Sequence, residues 1–389
     1  MLDREVGVRL IDAYSGIIPL QPAFVARDWI TEGRRLGLTD EAYDAGERGA
    51  ICERWLSSTT QATNLIMVEG EGISTVNFED QTIRLDHLFD VCADVIVGQE
   101  YAEKQIGLGC LAKVFDYGER VPLHVHPPTE VAQRLGTQSK DEAYYFLPGA
   151  DLGRHPESFF GMHAGLSADE AREELLDHLR RWEGPSTLAL SLGYQLFSEG
   201  GYFVPSGVIH GAGTALTLEL QEISDAMCFL QAASGSVQLS KEHLLNGLDP
   251  DEVAKRGEEA ITDWIDWDAN LTSDFHTSNH ISPRIISAGN GVEIAWILYG
   301  STKFAAKRYR LEPGARVQLD QVGGYSVFFW QGTGTLNGVE FVSGELGRDE
   351  ALLTHNATTA GVTLENPGSE QLEMVAFFGT GLQPEAPIL

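Results

Sequence analysis

Along most of this 389-residue chain the apolar residues come in short runs broken by glycine and polar turns, the spacing of β-strands. Residues 1–20 alternate loosely and read as strand and turn. Phe24, Val25, Trp29, Ile30 and Leu36 recur at helical spacing, which predicts a helix from Pro22 to Leu38. Residues 62–80 read as strands, and 80–97 as a short helix. Leu108 to Gly118 is apolar apart from Lys113 and Asp116, the pattern of a buried strand. Pro127 to Asp141 is a polar insert whose middle, after Glu130, suits a short helix; Glu142 then heads the buried-strand run Ala-Tyr-Tyr-Phe-Leu. Ser167-Ala-Asp-Glu170 is a capping box opening an amphipathic helix that runs to about Trp182. Thr187–Phe197 and Leu216–Ile223 return to strand spacing, and residues 241–268 are helical and acidic. From Ile281 to Leu389 short apolar strands alternate with Gly-rich turns such as Glu312-Pro-Gly and Asn337-Gly, which suits an all-β barrel or sandwich. The prediction is a mainly β protein with a helical excursion and a helical linker.

Charge narrows the partners. Lys and Arg number 27 against 57 Asp and Glu, a formal net charge of −30, which argues against nucleic acid and anionic membrane surfaces. Four cysteines with no Cys-x-x-Cys pair are expected as buried free thiols of a reducing compartment. No basic segment leads into an apolar run at the start, and no apolar stretch reaches membrane-spanning length. A soluble cytoplasmic protein is the expectation; oligomeric state is left open.

Candidate chemistry lies in two stretches, Gly118 to Gly149 and Gly200 to His210. Alternation along a strand puts His124 and His126 on one face. Glu142 heads the next strand, and a Pro205-Ser-Gly turn leads to His210. Three imidazoles and a carboxylate suit a divalent metal, zinc, iron or manganese. Glu130 lies closer to His126, but a helix pattern surrounds it, so Glu142 is preferred as ligand. His276 and His280 stand four apart with a loop-like Thr-Ser-Asn between them, and no metal pair is expected there. Lys113 needs a partner or a shifted pKa unless its stem carries it to a rim. Glu219 and Gln221 share one face of their strand, Leu218 and Leu220 the other, and either face suits the interior.

The run Gly118-x5-His124-x-His126, then Glu142-x6-Gly149, then Pro205-x-Gly207-x-x-His210 resembles the two-part signature of the cupin superfamily, interrupted by an insert. That resemblance implies double-stranded β-helix (jelly-roll) barrels, two in tandem. Residues 1–240 would form a metal-binding domain with a helical insert at 150–185, 241–280 a helical linker, and 281–389 a second cupin-like barrel without metal ligands.

Over residues 49–225 the chain more narrowly resembles type I mannose-6-phosphate isomerases. The matching segments are Glu53-x-Trp55-x-x-Ser58, Leu111-Ala-Lys113-Val-Phe-Asp116, His124-Val-His126-Pro127, Lys140-Asp-Glu142-Ala-Tyr144-Tyr145, Phe203 to His210, Glu219-Leu-Gln221 and Ser224-Asp225. The resemblance implies Zn2+ at His124, His126, Glu142 and His210, with Fe2+ or Mn2+ as alternatives. It also implies aldose–ketose isomerisation of a hexose phosphate or a related free sugar through an enediol. Glu219, Lys113 and Lys140 are the candidates for proton transfer, and Tyr144 and Gln221 for substrate contact. Two departures stand out: His124 occupies a position where the family has Gln, and no Arg or Lys occurs between Asp225 and Lys241, where the family has an Arg after Ser-Asp. Two rivals follow, a non-catalytic sugar-binding or regulatory cupin and another metal cupin enzyme such as an iron dioxygenase.

Overall fold

The computed structural model describes residues 2–245 and 247–389. Two seven-stranded antiparallel sheets lie face to face at its centre. The first runs in the order 280–281, 201–204, 142–146, 217–221, 111–115, 50–56, 23–27. The second runs 17–19, 350–353, 325–331, 372–379, 304–311, 292–298, 284–289. Each sheet carries a smaller one on its outer face: five strands including 124–125 and 210–211 cover the first, and four strands between 316 and 365 cover the second.

Alternation decides what each face meets. On Thr217–Gln221 every residue is buried. Leu218 and Leu220 join the central core with Ala112, Val114, Trp296, Leu298, Phe304 and Phe377. Glu219 and Gln221 point to the opposite face, toward the five-stranded sheet that bears the histidines, and pair across strands with Lys113 and Glu142. Both faces of this strand are interior, because a second sheet covers the side that would otherwise be wet. The two sheets are also joined by charge. Arg54 reaches from the first to Asp349 (2.7 Å) and Glu350 (3.0 Å) on the second, and all three are buried.

Several local expectations change. Residues 4–13 are a helix, capped by the Asp3 side chain on Val6 N, and it buries Gly7, Leu10 and Ile11 at helical spacing. Ile17–Pro19 then adds an edge strand to the second sheet by pairing with Ala351–Leu353. The stretch from Pro22 to Leu38 is not helical: Ala23–Arg27 is a strand paired with Ala50–Trp55, and Trp29 and Ile30 fill a separate core. Its apolar residues serve different cores, which mimics a helix period. Between 62 and 80 only Thr75–Phe78 is a strand, and its hairpin partner Gln81–Arg84 takes the residues expected to start the helix that runs over Leu85–Val97. Ser186–Leu190 forms a 3-10 turn before the strand Leu192–Gln195. Phe275–Asn279 is a short helix rather than a loop. The helices at Thr129–Leu135 and Ala168–Arg181 form as expected, the latter with its capping box made by Ser167 and Glu170. The acidic stretch after 241 breaks into four short helical pieces between Glu242 and Asn270. All four cysteines are free and buried. No helix among the described residues is long and apolar enough to cross a membrane.

Candidate metal centre

The two sheets of the first half supply the donors from opposite sides. His124 and His210 are direct cross-strand partners in the five-stranded sheet, and His126 follows at the end of its strand. Glu142 begins its strand in the facing seven-stranded sheet. The turn before His210 is held by Gly207, at φ +85, whose N–H donates to His126 O (3.0 Å). Asn270 pins the same turn, accepting from Ile209 N (2.8 Å) and donating to Gly207 O (2.7 Å).

His124, His126, Glu142 and His210 converge with one ligand atom each within 4.8 Å of the others, and all four are buried. Glu142 Oε1 lies 2.8 Å from His210 Nε2, and Oε2 lies 3.1 Å from His126 Nε2. Exposed Glu130, on the neighbouring helix, takes no part.

The hydrogen bonds settle which ring nitrogen is free. Nδ1 of His124, His126 and His210 faces the carbonyls of Pro122 (2.9 Å), Ala226 (2.8 Å) and Val208 (2.8 Å). A carbonyl only accepts, so each Nδ1 carries a proton and each Nε2 faces inward, as a lone pair wherever the ring is neutral. Burial pushes His124 well below the usual histidine range and His126 down to about 3, so both rings are neutral. Lone pairs then meet carboxylate oxygens with no proton between them. His210 Nε2 has no hydrogen-bond partner, and Glu142 Oε2 accepts no hydrogen bond and has the Lys140 ammonium 3.0 Å away. That convergence asks for a cation, and the donor set fits a divalent ion with nitrogen and oxygen ligands.

A chain of alternating charges extends from this cage. Lys140 Nζ stands 3.0 Å from Glu142 Oε2, 3.2 Å from His126 Nε2 and 3.5 Å from Glu219 Oε1. Lys113 Nζ lies 3.3 Å from Glu219 and 3.8 Å from Glu53. Glu53 accepts from Arg27, Trp55 and Tyr117, and Arg27 continues to Asp225. Burial alone would lower Lys140, but Glu142, Glu219 and Asp225 raise it above the ordinary lysine value, so it is an ammonium. Burial alone would raise Glu142, yet Lys140 and the histidines hold it well below the carboxylate range. Glu219 goes the other way: burial pushes it up to about 8, opposed by Lys113 and reinforced by Glu142.

Tyr144 is buried with its hydroxyl donating to Glu142 Oε1, so it braces that carboxylate. Gln221 is buried beside Glu142, donates to Ser224 O, and leaves its own Oε1 unpartnered. Thus every candidate side chain lies on or beside one buried cluster. Arg27 and Glu53 complete it and were not among the candidates. Arg27 was obscured by the helical spacing around it, and Glu53 entered only through the segment Glu53-x-Trp55-x-x-Ser58, with no role attached. His276 and His280 stand apart, with His276 Nδ1 2.8 Å from the Tyr202 hydroxyl.

A mainly β fold that closes over a three-histidine, one-carboxylate cage defines the class to which this chain is compared. Among solved structures the chain is similar to mannose 6-phosphate isomerase from Bacillus subtilis, at 18% identity and TM-score 0.61, covering 93% of this chain and 99% of that one. It is similar also to a point mutant of phosphomannose isomerase from Salmonella typhimurium, at 11% identity and TM-score 0.63, covering 94% of this chain and 100% of that one. At such identities the likeness shows a shared fold. No protein-family model and no curated sequence matches the chain.

Proposed function

We propose that this protein is a metal-dependent aldose–ketose isomerase of the mannose-6-phosphate isomerase type, working in the cytoplasm on a hexose. In this reading residues 1–240 form a metal-binding cupin barrel, 241–280 a linker and 281–389 a second barrel without metal ligands. The observation that carries it is the convergence of four buried donors, His124, His126, Glu142 and His210, within a fold shared with structures of that activity.

Zn2+ is the ion this donor set suits best; when bound it would polarise the substrate's carbonyl and hydroxyl oxygens. The chain's own groups do the rest. Glu219, buried and with an ionisation near neutrality, is the group to move a proton between adjacent carbons through an enediol. Its Oε1 is buried, accepts no hydrogen bond and has Lys140 Nζ 3.5 Å away, which leaves it an acceptor for a substrate proton. Lys113 and Lys140 flank it as donors to substrate oxygens. Gln221 offers its unpartnered Oε1 to a hydroxyl, and Tyr144 holds Glu142 in place.

The test is metal analysis of the purified protein, followed by a screen of free and phosphorylated aldoses for ketose formation. Stoichiometric zinc is expected, with the metal lost in His126→Ala or His210→Ala. Full activity after thorough removal of metal sinks the reading, and iron together with oxygen uptake favours a dioxygenase instead.

A further inference from the structure

We propose that Lys303, at the head of the second sheet's strand 304–311, is a positioning residue for the metal cage of the first; this rests on the metal-centre reading above and not on which substrate is used. Alternation explains how a residue outside the cage reaches its mountings. Lys140 and Glu142 turn inward to the cage, and Asp141 between them turns the opposite way. Glu219 and Gln221 likewise face the cage, while Glu222, next in the chain, shares the outward side of Leu218 and Leu220, toward the second sheet. Asp141 and Glu222 therefore mark the outer side of two paired strand ends whose inner side carries cage residues. Lys303 Nζ sits between them, 2.9 Å from Asp141 Oδ2 and 2.8 Å from Glu222 Oε2.

Each carboxylate has a further task. Asp141 Oδ1 accepts from Ser206 N (2.9 Å), in the turn that leads to His210. Glu222 Oε2 also accepts from Asp141 N (2.9 Å) and from the Ser139 hydroxyl (2.9 Å), and Glu222 N donates to Asp141 O (3.1 Å). One ammonium thus fixes the strand start of Glu142 and, through Asp141, the turn before His210. Those are the two ligands whose atoms lie 2.8 Å apart. Lys303 is itself held in place: its N–H donates to Ser301 Oγ (3.1 Å), and its carbonyl accepts from the Thr380 hydroxyl (2.8 Å). A Cβ on Gly300, at φ +130, would stand 2.7 Å from the Phe203 ring, so the loop bearing Lys303 is pressed onto strand 201–204.

The side chains of Lys303, Asp141 and Glu222 are 31%, 13% and 18% exposed, and ion pairs so placed add little to the stability of a fold. What this one supplies is placement. Without the ammonium, two carboxylates on adjacent strand ends repel and spread the ends that carry Glu142 and the His210 turn. Partners that orient metal ligands from outside are typically worth about 10–100-fold in metal affinity.

The experiment titrates zinc into the metal-free full chain in competition with a chromogenic chelator. The visible spectrum of the cobalt-loaded protein is recorded beside it as a measure of ligand geometry. Lys303→Met should weaken zinc binding by about 10–100-fold and alter the cobalt spectrum. The urea midpoint of the metal-free variant should stay close to that of the natural chain. Asp141→Asn, which keeps an acceptor for Ser206 N, should weaken zinc in the same way, and the double variant should bind no worse than the weaker single one, because the pair acts as a unit. Zinc affinity and cobalt spectrum unchanged in Lys303→Met, or losses that add in the double variant, overturn the proposal. So does a loss in Lys303→Met that follows a lowered urea midpoint while Asp141→Asn binds zinc normally. A natural chain that takes up no zinc is a different failure: it overturns the metal-centre reading itself, and the proposal falls with it.

Discussion

The cage works because its three imidazoles have had their protons assigned by the backbone. Each Nδ1 is committed to a carbonyl two residues back or across a loop, so each Nε2 is left facing the cage, with those of His126 and His210 against Glu142. Lys140 partly compensates the converging oxygens and nitrogens, which explains how an ammonium is retained at 1% exposure. Glu219 differs from Glu142 in having no histidine against it, and burial dominates its ionisation. Glu219→Gln should therefore leave metal content unchanged while kcat falls by about 10²–10⁴, read by steady-state kinetics beside elemental analysis. A variant that keeps full kcat removes Glu219 from the proton path.

Elements matter where a short connection sets the ligand geometry. The turn Pro205 to Ile209 delivers His210 from one sheet to the other, and Gly207 at φ +85 is its pivot. A Cβ there would lie 3.1 Å from both Asp266 N and Asp266 Cβ. Gly207→Ala combines a backbone penalty with that close approach and should cost about 1–3 kcal/mol, measured by denaturant unfolding, with weaker metal retention because His210 is displaced. The motif around His124, His126, Glu142 and His210 was legible because its spacing depends on strand alternation and one tight turn, both local properties. The segment from Pro22 to Leu38 was not: its apolar residues belong to different cores, and only the pairing with Ala50–Trp55 makes it a strand.

For the whole molecule the junction between the two large sheets is the feature of consequence. Arg54 ties the first sheet to the acidic pair Asp349 and Glu350 of the second. Arg54→Ala leaves two buried carboxylates unpaired and should cost about 3–5 kcal/mol, whereas Arg54→Met together with Asp349→Asn and Glu350→Gln should cost much less; unfolding free energies of the two variants decide this. The same junction is pH-sensitive. Burial and Asp349 push Glu350 up to about 7 against the pull of Arg54. A carboxyl raised in the folded state contributes stability that is fully present below the usual carboxylate range and lost as pH rises through about 7. Melting temperature should therefore fall between pH 5 and pH 8 for the natural chain (a window of about that width follows from the shift), and Glu350→Gln should flatten that fall.

Taken alone, the amino-acid order determined the mainly β character, the capped helix at Ala168–Arg181, and the residues able to hold a metal, because strand alternation, capping and turn chemistry act over a few neighbours. It left open which face of Thr217–Gln221 is interior, and the folded chain makes both so by laying a second sheet on Leu218 and Leu220. It also held no sign that Arg27, 198 positions from Asp225, would close the charge chain beside the cage. Contacts of that separation are chosen by packing of whole sheets, and no local period records them.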